Sequence, residues 1–208
     1  MQLTTNAFKN GDTIPDQYAF AKPDADNHFA LSENRNPGFS WSDLPAGTQS
    51  LALVCIDPDA PSKPDDVNKE DREVPADLPR ADFYHWAMVD INPEIGKIEE
   101  GECSAEATPG GKMQPPGPKN TRQGVNSYTE WFAGDADMAG TYHGYDGPAP
   151  PWNDAIPHRY IFRLLALDIE RCPVDTSFTV DDVQKAVQGH VLGQAEIMGT
   201  YTLNPRLR

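Results

Sequence analysis

The chain has 208 residues, a length that suits one domain with a substantial hydrophobic core, and a single domain is expected over residues 1–208. Its net charge of -15, from 17 Lys and Arg against 32 Asp and Glu, argues against nucleic-acid binding, because no basic surface is available to displace phosphate counterions. No apolar run reaches the roughly 20 residues of a transmembrane helix, and no signal peptide is recognisable, so a cytoplasmic location is expected.

The three cysteines, Cys55, Cys103 and Cys172, are widely spaced and form no C-x-x-C pair. This spacing argues against a zinc knuckle and against a dithiol redox site. Cys55 lies in an apolar run, where it is expected to act as a small buried hydrophobic residue. The pattern favours free thiols in a reducing compartment, with one disulfide as the alternative, and no cofactor is expected.

The first predicted element is Ser50–Ile56, a continuous apolar run that ends at Asp57-Pro58. Its length and its terminating proline favour a strand buried on both faces. Residues 62–82 follow; they are rich in charges of both signs and in proline, and they have no periodicity. They predict a long surface insertion, which is either the rim of a pocket or a solvated excursion.

Two further apolar runs, His85–Ile91 and Arg159–Ile169, predict two more strands. Between them, residues 101–157 are dominated by Gly, Pro, Asn and Asp, and Trp131-Phe132 is the only expected core anchor in the first half of this segment. Strands and helices do not alternate regularly, which disfavours a doubly wound fold. The pattern instead favours a mainly β, antiparallel sandwich of two sheets.

One peripheral helix is predicted near the C-terminus. Thr179-Val-Asp-Asp182 matches a capping box, although its last position is Asp rather than Glu. Gly199–Leu203 predicts a closing strand. Four apolar residues after the capping box fall on one helical face: Val183, Ala186, Val187 and Val191.

Two carboxylates and two imidazoles flank the three predicted strands. Asp57 and Asp59 follow the first strand, His85 opens the second, and His158 precedes the third. If these strands are antiparallel neighbours, the exit of one and the entry of the next lie at the same end of the sheet, and the four side chains meet there. The structural alternatives are Asx turns for the aspartates and surface or core positions for the histidines.

A rigid loop is predicted at Tyr145-Asp-Gly-Pro-Ala-Pro-Pro-Trp152. Its three prolines fix φ and remove amide donors, while Gly147 permits a ligand to approach the main chain closely. Such a loop suits a pre-formed pocket, and a plain surface loop is the alternative.

Taken together, these motifs resemble the phosphatidylethanolamine-binding protein family. The resemblance rests on four signatures in order: Asp57-Pro58-Asp59-Ala60-Pro61, the strand opening at His85, Gly-x-x-Pro-Pro at 147–151, and His158-Arg159-Tyr160. The upstream segment Trp41–Thr48 resembles the bacterial branch of Raf-kinase-inhibitor-like proteins. Similarity in order and character extends from about residue 30 to residue 203.

The resemblance implies a two-sheet β-sandwich with a small pocket for phosphate or carboxylate anions, whether on a small molecule or on a lipid headgroup. It also implies a homodimer and a protein partner as further expectations. The polar residues of the pocket would be Asp57, Asp59, His85, His158 and Tyr160. Its wall would be formed by Pro61, Gly147, Ala149 and Pro151.

An acidic chain accepts an anion if a carboxylate hydrogen-bonds an imidazole and favours the protonated ring, whose second N–H then faces the ligand. Binding would in that case strengthen below about pH 6.5, the reference pKa of histidine.

Lys112, Lys119 and Arg122 are the only charged residues between Glu106 and Glu130. They either guide an anion to the pocket or are solvated loop charges.

Two other functions remain as alternatives to a binding protein. Asp57, Asp59, His85 and His158 are also the residue types of a divalent-metal site, as in a metal-dependent hydrolase. Neither H-E-x-x-H nor G-x-S-x-G occurs, so a non-enzyme is favoured. The third reading is a surface-acting protein similar to protease or kinase inhibitors, with residues 62–82 as the first candidate contact.

Overall fold

The computed structural model describes residues 1–208 and is mainly β, as the sequence predicts. It contains two short α-helices, α1 (Tyr128–Trp131) and α2 (Val180–Ala186). The ten strands are β1 (Gln2–Thr4), β2 (Ala21–Asp24), β3 (His28–Leu31), β4 (Phe39–Ser42), β5 (Ser50–Pro61), β6 (Arg80–Ile91), β7 (Lys97–Ile98), β8 (Arg122–Gln123), β9 (His158–Leu167) and β10 (Val191–Tyr201).

All strand pairs are antiparallel. The central sheet has the order β10-β9-β5-β6-β8, a second sheet has the order β1-β4-β7, and β2 and β3 form a separate hairpin. The three strands predicted from apolar runs, β5, β6 and β9, are therefore direct neighbours in the central sheet. Because β5 runs opposite to both of its neighbours, its end lies beside the beginnings of β6 and β9.

The central strand β5 is buried on both faces because its side chains alternate between two cores. Leu51, Leu53 and Cys55 belong to the larger core, which also includes residues of β1, β4 and β7. Ala52, Val54 and Ile56 belong to a smaller core on the opposite face, where Val180 and Val183 of α2 cover the sheet. This double burial explains why β5 is a continuous apolar run rather than an alternating one.

The strands extend further toward the polar motifs than their apolar runs predict. In particular, β5 does not end at Asp57-Pro58 but continues to Pro61. Its pairing with β6 shifts register between Asp57 and Ala60, and Pro58 lies in this irregular part. Since a bulge leaves one residue unpaired, the missing amide hydrogen of Pro58 costs no ladder hydrogen bond there.

The predicted capping box forms at the start of α2. The Thr179 hydroxyl accepts from the Asp182 amide, and the Asp182 carboxylate accepts from the Thr179 amide. The helix is shorter than predicted, because Gly189 at φ +82° is in the left-handed region, and the chain turns into β10. Val191 therefore opens the last strand, 41% exposed, instead of packing on the helix face. All three cysteines are buried and free.

Candidate functional site

A cavity of about 440 Å³ opens at the end of the central sheet where β5 ends and β6 and β9 begin. Its polar base is formed by Asp57 of β5, His85 of β6, and His158 and Tyr160 of β9. We call these four residues the floor of the cavity. All four are nearly inaccessible to solvent, since the same strands carry the two hydrophobic cores just behind them.

Most of the residues predicted for a pocket line this cavity, and two do not. The lining includes Asp57, Pro61, His85, Ala149, Pro151, His158 and Tyr160. The two outside it are Asp59 and Gly147. Both lie next to lining residues, but their own atoms are engaged elsewhere in the fold.

Asp59 binds Arg159 instead of facing the cavity. Its carboxylate accepts hydrogen bonds from the Arg159 amide (2.9 Å), from Nε (2.8 Å) and from Nη2 (2.8 Å). Although partial burial acts in the opposite direction, these bonds lower the pKa of Asp59. Asp59 also contributes its amide, which donates to Asp57 Oδ1 at 2.7 Å. Asp59 therefore fixes β5 to β9 and helps to orient Asp57.

Gly147 is required by a close approach of the chain to itself. A Cβ atom at this position would lie 2.0 Å from the Tyr18 carbonyl oxygen. The Gly147 amide donates to Asn34 Oδ1 (2.8 Å), and its carbonyl accepts from the Tyr128 hydroxyl (2.7 Å). Both main-chain polar atoms are thus used within the protein, in contrast to the expected contact with a ligand.

His158 is held by two carboxylates. Its Nδ1 lies 2.7 Å from Asp57 Oδ2, and its Nε2 lies 3.0 Å from Asp154 Oδ2. Arg80 in turn donates to both oxygens of Asp154, at 2.7 and 3.1 Å. Although burial disfavours the charged ring, the two carboxylates raise the pKa of His158 to about 9. The ring is therefore an imidazolium at neutral pH, and both of its N–H groups are already bonded.

The expected carboxylate–imidazole pair thus exists, but it does not present an N–H group to a ligand. The imidazole with an open nitrogen is that of His85. Its Nδ1 lies 2.7 Å from the carbonyl oxygen of Asp146 and must donate, because a carbonyl only accepts. Burial lowers the pKa of His85, so the ring is neutral and Nε2 carries a lone pair. This Nε2 atom is buried and has no hydrogen-bond partner.

Tyr160 supplies the second open polar atom of the floor. Its hydroxyl is buried without a hydrogen-bond partner, and its ring centroid lies 5.1 Å from that of His85. Burial raises the pKa of Tyr160 well above its usual range, which keeps the phenol protonated. The floor therefore presents one hydroxyl that can donate and one ring nitrogen that can accept.

The outer part of the cavity is mostly apolar and comes from three separate segments, although Asp135 and Asp137 also belong to the lining. We call it the rim: Phe29 and Leu31 of β3, Val67 and Asn68 of the segment 62–79 between β5 and β6, and Trp131 and Phe132 at the end of α1. This segment is three residues shorter than the predicted insertion 62–82, because β6 begins at Arg80. Trp131 is 48% exposed, so the prediction that it anchors the core is wrong. Phe132 stacks on Tyr128, with ring centroids 5.5 Å apart.

Two of the three rim segments, the β2–β3 hairpin and the 62–79 segment, are connected through His28. Its ring stacks on Trp152 with centroids 3.8 Å apart and an interplanar angle of 6°. Its Nε2 lies 2.8 Å from Glu70 Oε1, which joins the β2–β3 hairpin to the 62–79 segment. The long insertion therefore contributes to the cavity wall and contacts the hairpin opposite it.

Sequence reasoning missed Asp154, Arg80 and the aromatic rim. Asp154 and Arg80 lie in irregular chain or at a strand end, where no periodicity marks a buried ion pair. Neither alternative for Lys112 and Arg122, guidance of an anion or solvated loop charges, describes their position in the structure. Lys112 binds buried Asp146 at 2.7 Å, and Arg122 binds Asp90 at 2.6 Å.

The geometry does not form the metal site that a hydrolase would need. No group of three or more His, Cys, Asp or Glu side chains is arranged to hold a metal ion. The reason is visible in the floor, where both nitrogens of His158 are bonded to carboxylates and Asp59 faces Arg159.

No helix in the structure is both long and apolar enough to span a bilayer.

Comparison with known proteins supports the same fold and family. Residues 4–202 match the sequence model of the family described as phosphatidylethanolamine-binding protein. A UPF0098 protein of Methanothermobacter thermautotrophicus is 33% identical over 97% of this chain and 98% of its own length. The UPF0098 protein YbhB of Escherichia coli is 30% identical over 97% of this chain and 100% of its own.

Two solved structures resemble this one along nearly the whole chain. The crystal structure of Escherichia coli YbcL, described as a new member of the mammalian PEBP family, has a TM-score of 0.68 and 25% identity, with 97% of each chain covered. A phosphatidylethanolamine-binding protein homologue of Chlamydia trachomatis has a TM-score of 0.64 and 27% identity, covering 96% of this chain and 95% of its own. The names of these relatives include no enzymatic activity.

Proposed function

This chain belongs to the phosphatidylethanolamine-binding protein family, and from that premise we propose that its cavity binds a small anion bearing a phosphate or carboxylate group. The family is generally one of non-enzymatic, ligand-binding proteins. One observation carries the proposal: His85 and Tyr160 both line the cavity, and His85 Nε2 and the Tyr160 hydroxyl are buried polar atoms without partners. An unsatisfied buried polar group costs about 1–3 kcal/mol, so a ligand that bonds to both atoms recovers this cost.

The floor and the ion pair bonded to it, Arg80 with Asp154, carry no net formal charge. Arg80 and the His158 imidazolium are positive, Asp154 and Asp57 are negative, and the four alternate along one chain of contacts. Their formal charges therefore sum to zero, in spite of the acidity of the whole chain. A ligand anion thus meets a floor without net formal charge that offers one hydroxyl donor, in a cavity whose lining also includes the carboxylates of Asp135 and Asp137.

The lone pair of His85 requires that one proton accompanies the anion. Either the ligand brings a hydroxyl hydrogen, as a monohydrogen phosphate or a carboxylic acid does, or His85 takes up a proton when the anion binds. In both cases the bound state holds one proton more than the free protein and the fully ionised ligand. For an anion that is fully ionised in solution, affinity consequently increases as the pH falls, whereas monohydrogen phosphate brings the proton with it at neutral pH.

Tyr160→Phe is expected to weaken phosphate binding at least about tenfold, because a hydrogen bond to a charged group contributes about 1.5–3 kcal/mol. The measurement is calorimetric titration of inorganic phosphate and of phosphoethanolamine at pH 6, after metal analysis of the purified protein. Tyr18→Phe is the matched control, since the Tyr18 hydroxyl is bonded to Glu100 outside the cavity. Phosphate affinity equal in Tyr160→Phe and wild type would refute the proposal, as would no phosphate binding by wild type.

Sulfate provides a test of the proton, because it remains fully ionised at neutral and mildly acidic pH. Its affinity is expected to rise between pH 8 and pH 5.5, by up to about tenfold per pH unit if one proton is taken up. The burial that lowers the pKa of His85 in the free protein is offset in the complex by the adjacent anion. His85→Gln should abolish the pH dependence. A flat wild-type profile would contradict the proposed role of His85.

A further inference from the structure

Behind the floor, on the side of His85, lies another buried carboxylate, that of Asp146, which is fully inaccessible to solvent. Its Oδ1 accepts hydrogen bonds from Lys112 Nζ and from Asn34 Nδ2, each at 2.7 Å. Its Oδ2 accepts from Asn126 Nδ2 at 2.8 Å. Every hydrogen bond to this carboxylate therefore comes from a donor of the protein, and only Lys112 brings a full positive charge.

The main chain of Asp146 holds the ring that the ligand is proposed to meet. Its carbonyl oxygen accepts from His85 Nδ1 at 2.7 Å, and its amide donates to the His85 carbonyl at 3.1 Å. Lys112 Nζ also donates to the Tyr145 carbonyl at 3.2 Å. The position of the 145–146 peptide, and with it the position of the acceptor for His85, thus depends on the interactions of Lys112.

Lys112 is the only full positive charge that favours the ionised form of this carboxylate. Burial raises the pKa of Asp146, and the Lys112 ammonium acts in the opposite direction. Without the ammonium the carboxyl group would take up a proton, as isolated charges buried in protein do. Its new hydroxyl would then face amide groups of Asn34 or Asn126 that are themselves donors, so at least one hydrogen bond would be lost and the segment would shift.

We propose that Lys112 is a positioning residue of the anion cavity: it fixes the Asp146 carbonyl, which holds His85 in the Nδ1–H tautomer and leaves Nε2 open. The first part of this inference concerns the protein without ligand. Only the effect on anion affinity rests on the proposed function.

The backbone conformation just before Lys112 allows its side chain to lie in this inward position. Gly111 has φ +80°, and a Cβ atom there would lie 2.3 Å from the Thr141 carbonyl oxygen. Only glycine permits both the left-handed conformation and this close approach. The Lys112 side chain is consequently 13% exposed, unlike the usual solvated lysine of a surface loop.

The test is the tautomer of His85, measured without ligand from the ¹⁵N chemical shifts of the ring nitrogens and assigned by the loss of the signals in His85→Gln. Wild type is expected to show protonated Nδ1 and unprotonated Nε2. Lys112→Met should show a mixture of tautomers, and Lys112→Arg should restore the wild-type pattern. Phosphate affinity is expected to fall roughly tenfold in Lys112→Met, as for other residues that orient a binding group from behind.

Arg122→Met is the matched control, because it also breaks a partly buried ion pair, with Asp90, but far from the floor. It should lower Tm and leave the His85 shifts unchanged. Wild-type ring shifts in Lys112→Met would overturn the inference, whatever the result for phosphate. If Lys112→Met does not fold, Lys112→Gln is measured instead, because glutamine keeps a hydrogen-bond donor without the charge. A mixture of His85 tautomers in Lys112→Gln would then support the inference, and wild-type ring shifts would overturn it. Since the shifts are measured without ligand, failure of this inference is distinguishable from failure of anion binding.

Discussion

Replacing His158 with alanine is expected to lower the free energy of unfolding by about 3–5 kcal/mol, the usual cost of removing one partner of a buried ion pair. The imidazolium lies between Asp57 and Asp154, and all three side chains are almost fully buried. Its removal leaves Asp57 without the positive partner that compensates its burial. Asp154 retains Arg80 as its only positively charged partner.

Denaturant unfolding at pH 7 measures this effect, with His190→Ala as the matched control. His190 also pairs with an aspartate, Asp168 at 2.8 Å, but both side chains are more than 40% exposed. Exposed pairs contribute only about 0–1 kcal/mol. The difference between His158→Ala and wild type should shrink above about pH 9, where the wild-type ring loses its own charge, since the two carboxylates raise the pKa of His158 to about 9. A loss no larger than that of His190→Ala, or one independent of pH, would show that His158 acts only by filling space.

The second large effect is a loss of stability at alkaline pH. His158 has a pKa of about 9 in the folded protein and about 6.5 when unfolded, so its contribution is complete below pH 6.5 and disappears as the pH rises through 9. The difference corresponds to up to roughly 3 kcal/mol in the free energy of unfolding. His85, whose folded pKa is lowered, acts in the opposite direction and only below pH 6.5, where it destabilises the folded state.

Unfolding free energies from pH 6 to pH 9.5 should therefore fall in wild type, and the decrease should be clearly smaller in His158→Gln, where the three buried cysteines, whose pKa values burial raises, still contribute near pH 9. The glutamine side chain has similar length but does not titrate. A parallel decrease in both proteins would assign the alkaline loss to other groups.

These two predictions also bear on ligand studies, because His158→Ala would weaken binding through unfolding. Tyr160→Phe and His85→Gln are the cleaner probes of the cavity.

The centre of the fold could be predicted because three of its four long strands, β5, β6 and β9, leave a direct signal in the sequence. Ser50–Ile56 is apolar at every position after the first, and it does lie between two cores. The convergence of Asp57, His85 and His158 at one end of the sheet also follows from antiparallel pairing of these runs. What the pattern contains is strand identity and direction, and these determine which strand ends meet.

The directions of individual side chains could not be predicted. Asp57 and Asp59 are two residues apart and would share a face in a regular strand, but the irregular pairing between them gives them different partners. Trp131 was expected in the core because large aromatic residues are usually buried, but it lies on the rim of the cavity. Asp154 has no periodic context, and its role depends entirely on contacts between distant segments.

The separation of floor and rim has a consequence for how this architecture diversifies. The floor is carried by long strands of the central sheet, whose other side chains are fixed by close packing, so few substitutions are tolerated there. The rim is assembled from a hairpin, an irregular insertion and a one-turn helix, and such segments accept substitutions and changes of length more readily. Substitutions and insertions at the entrance can therefore change which molecules fit the cavity without changing the polar side chains at its base.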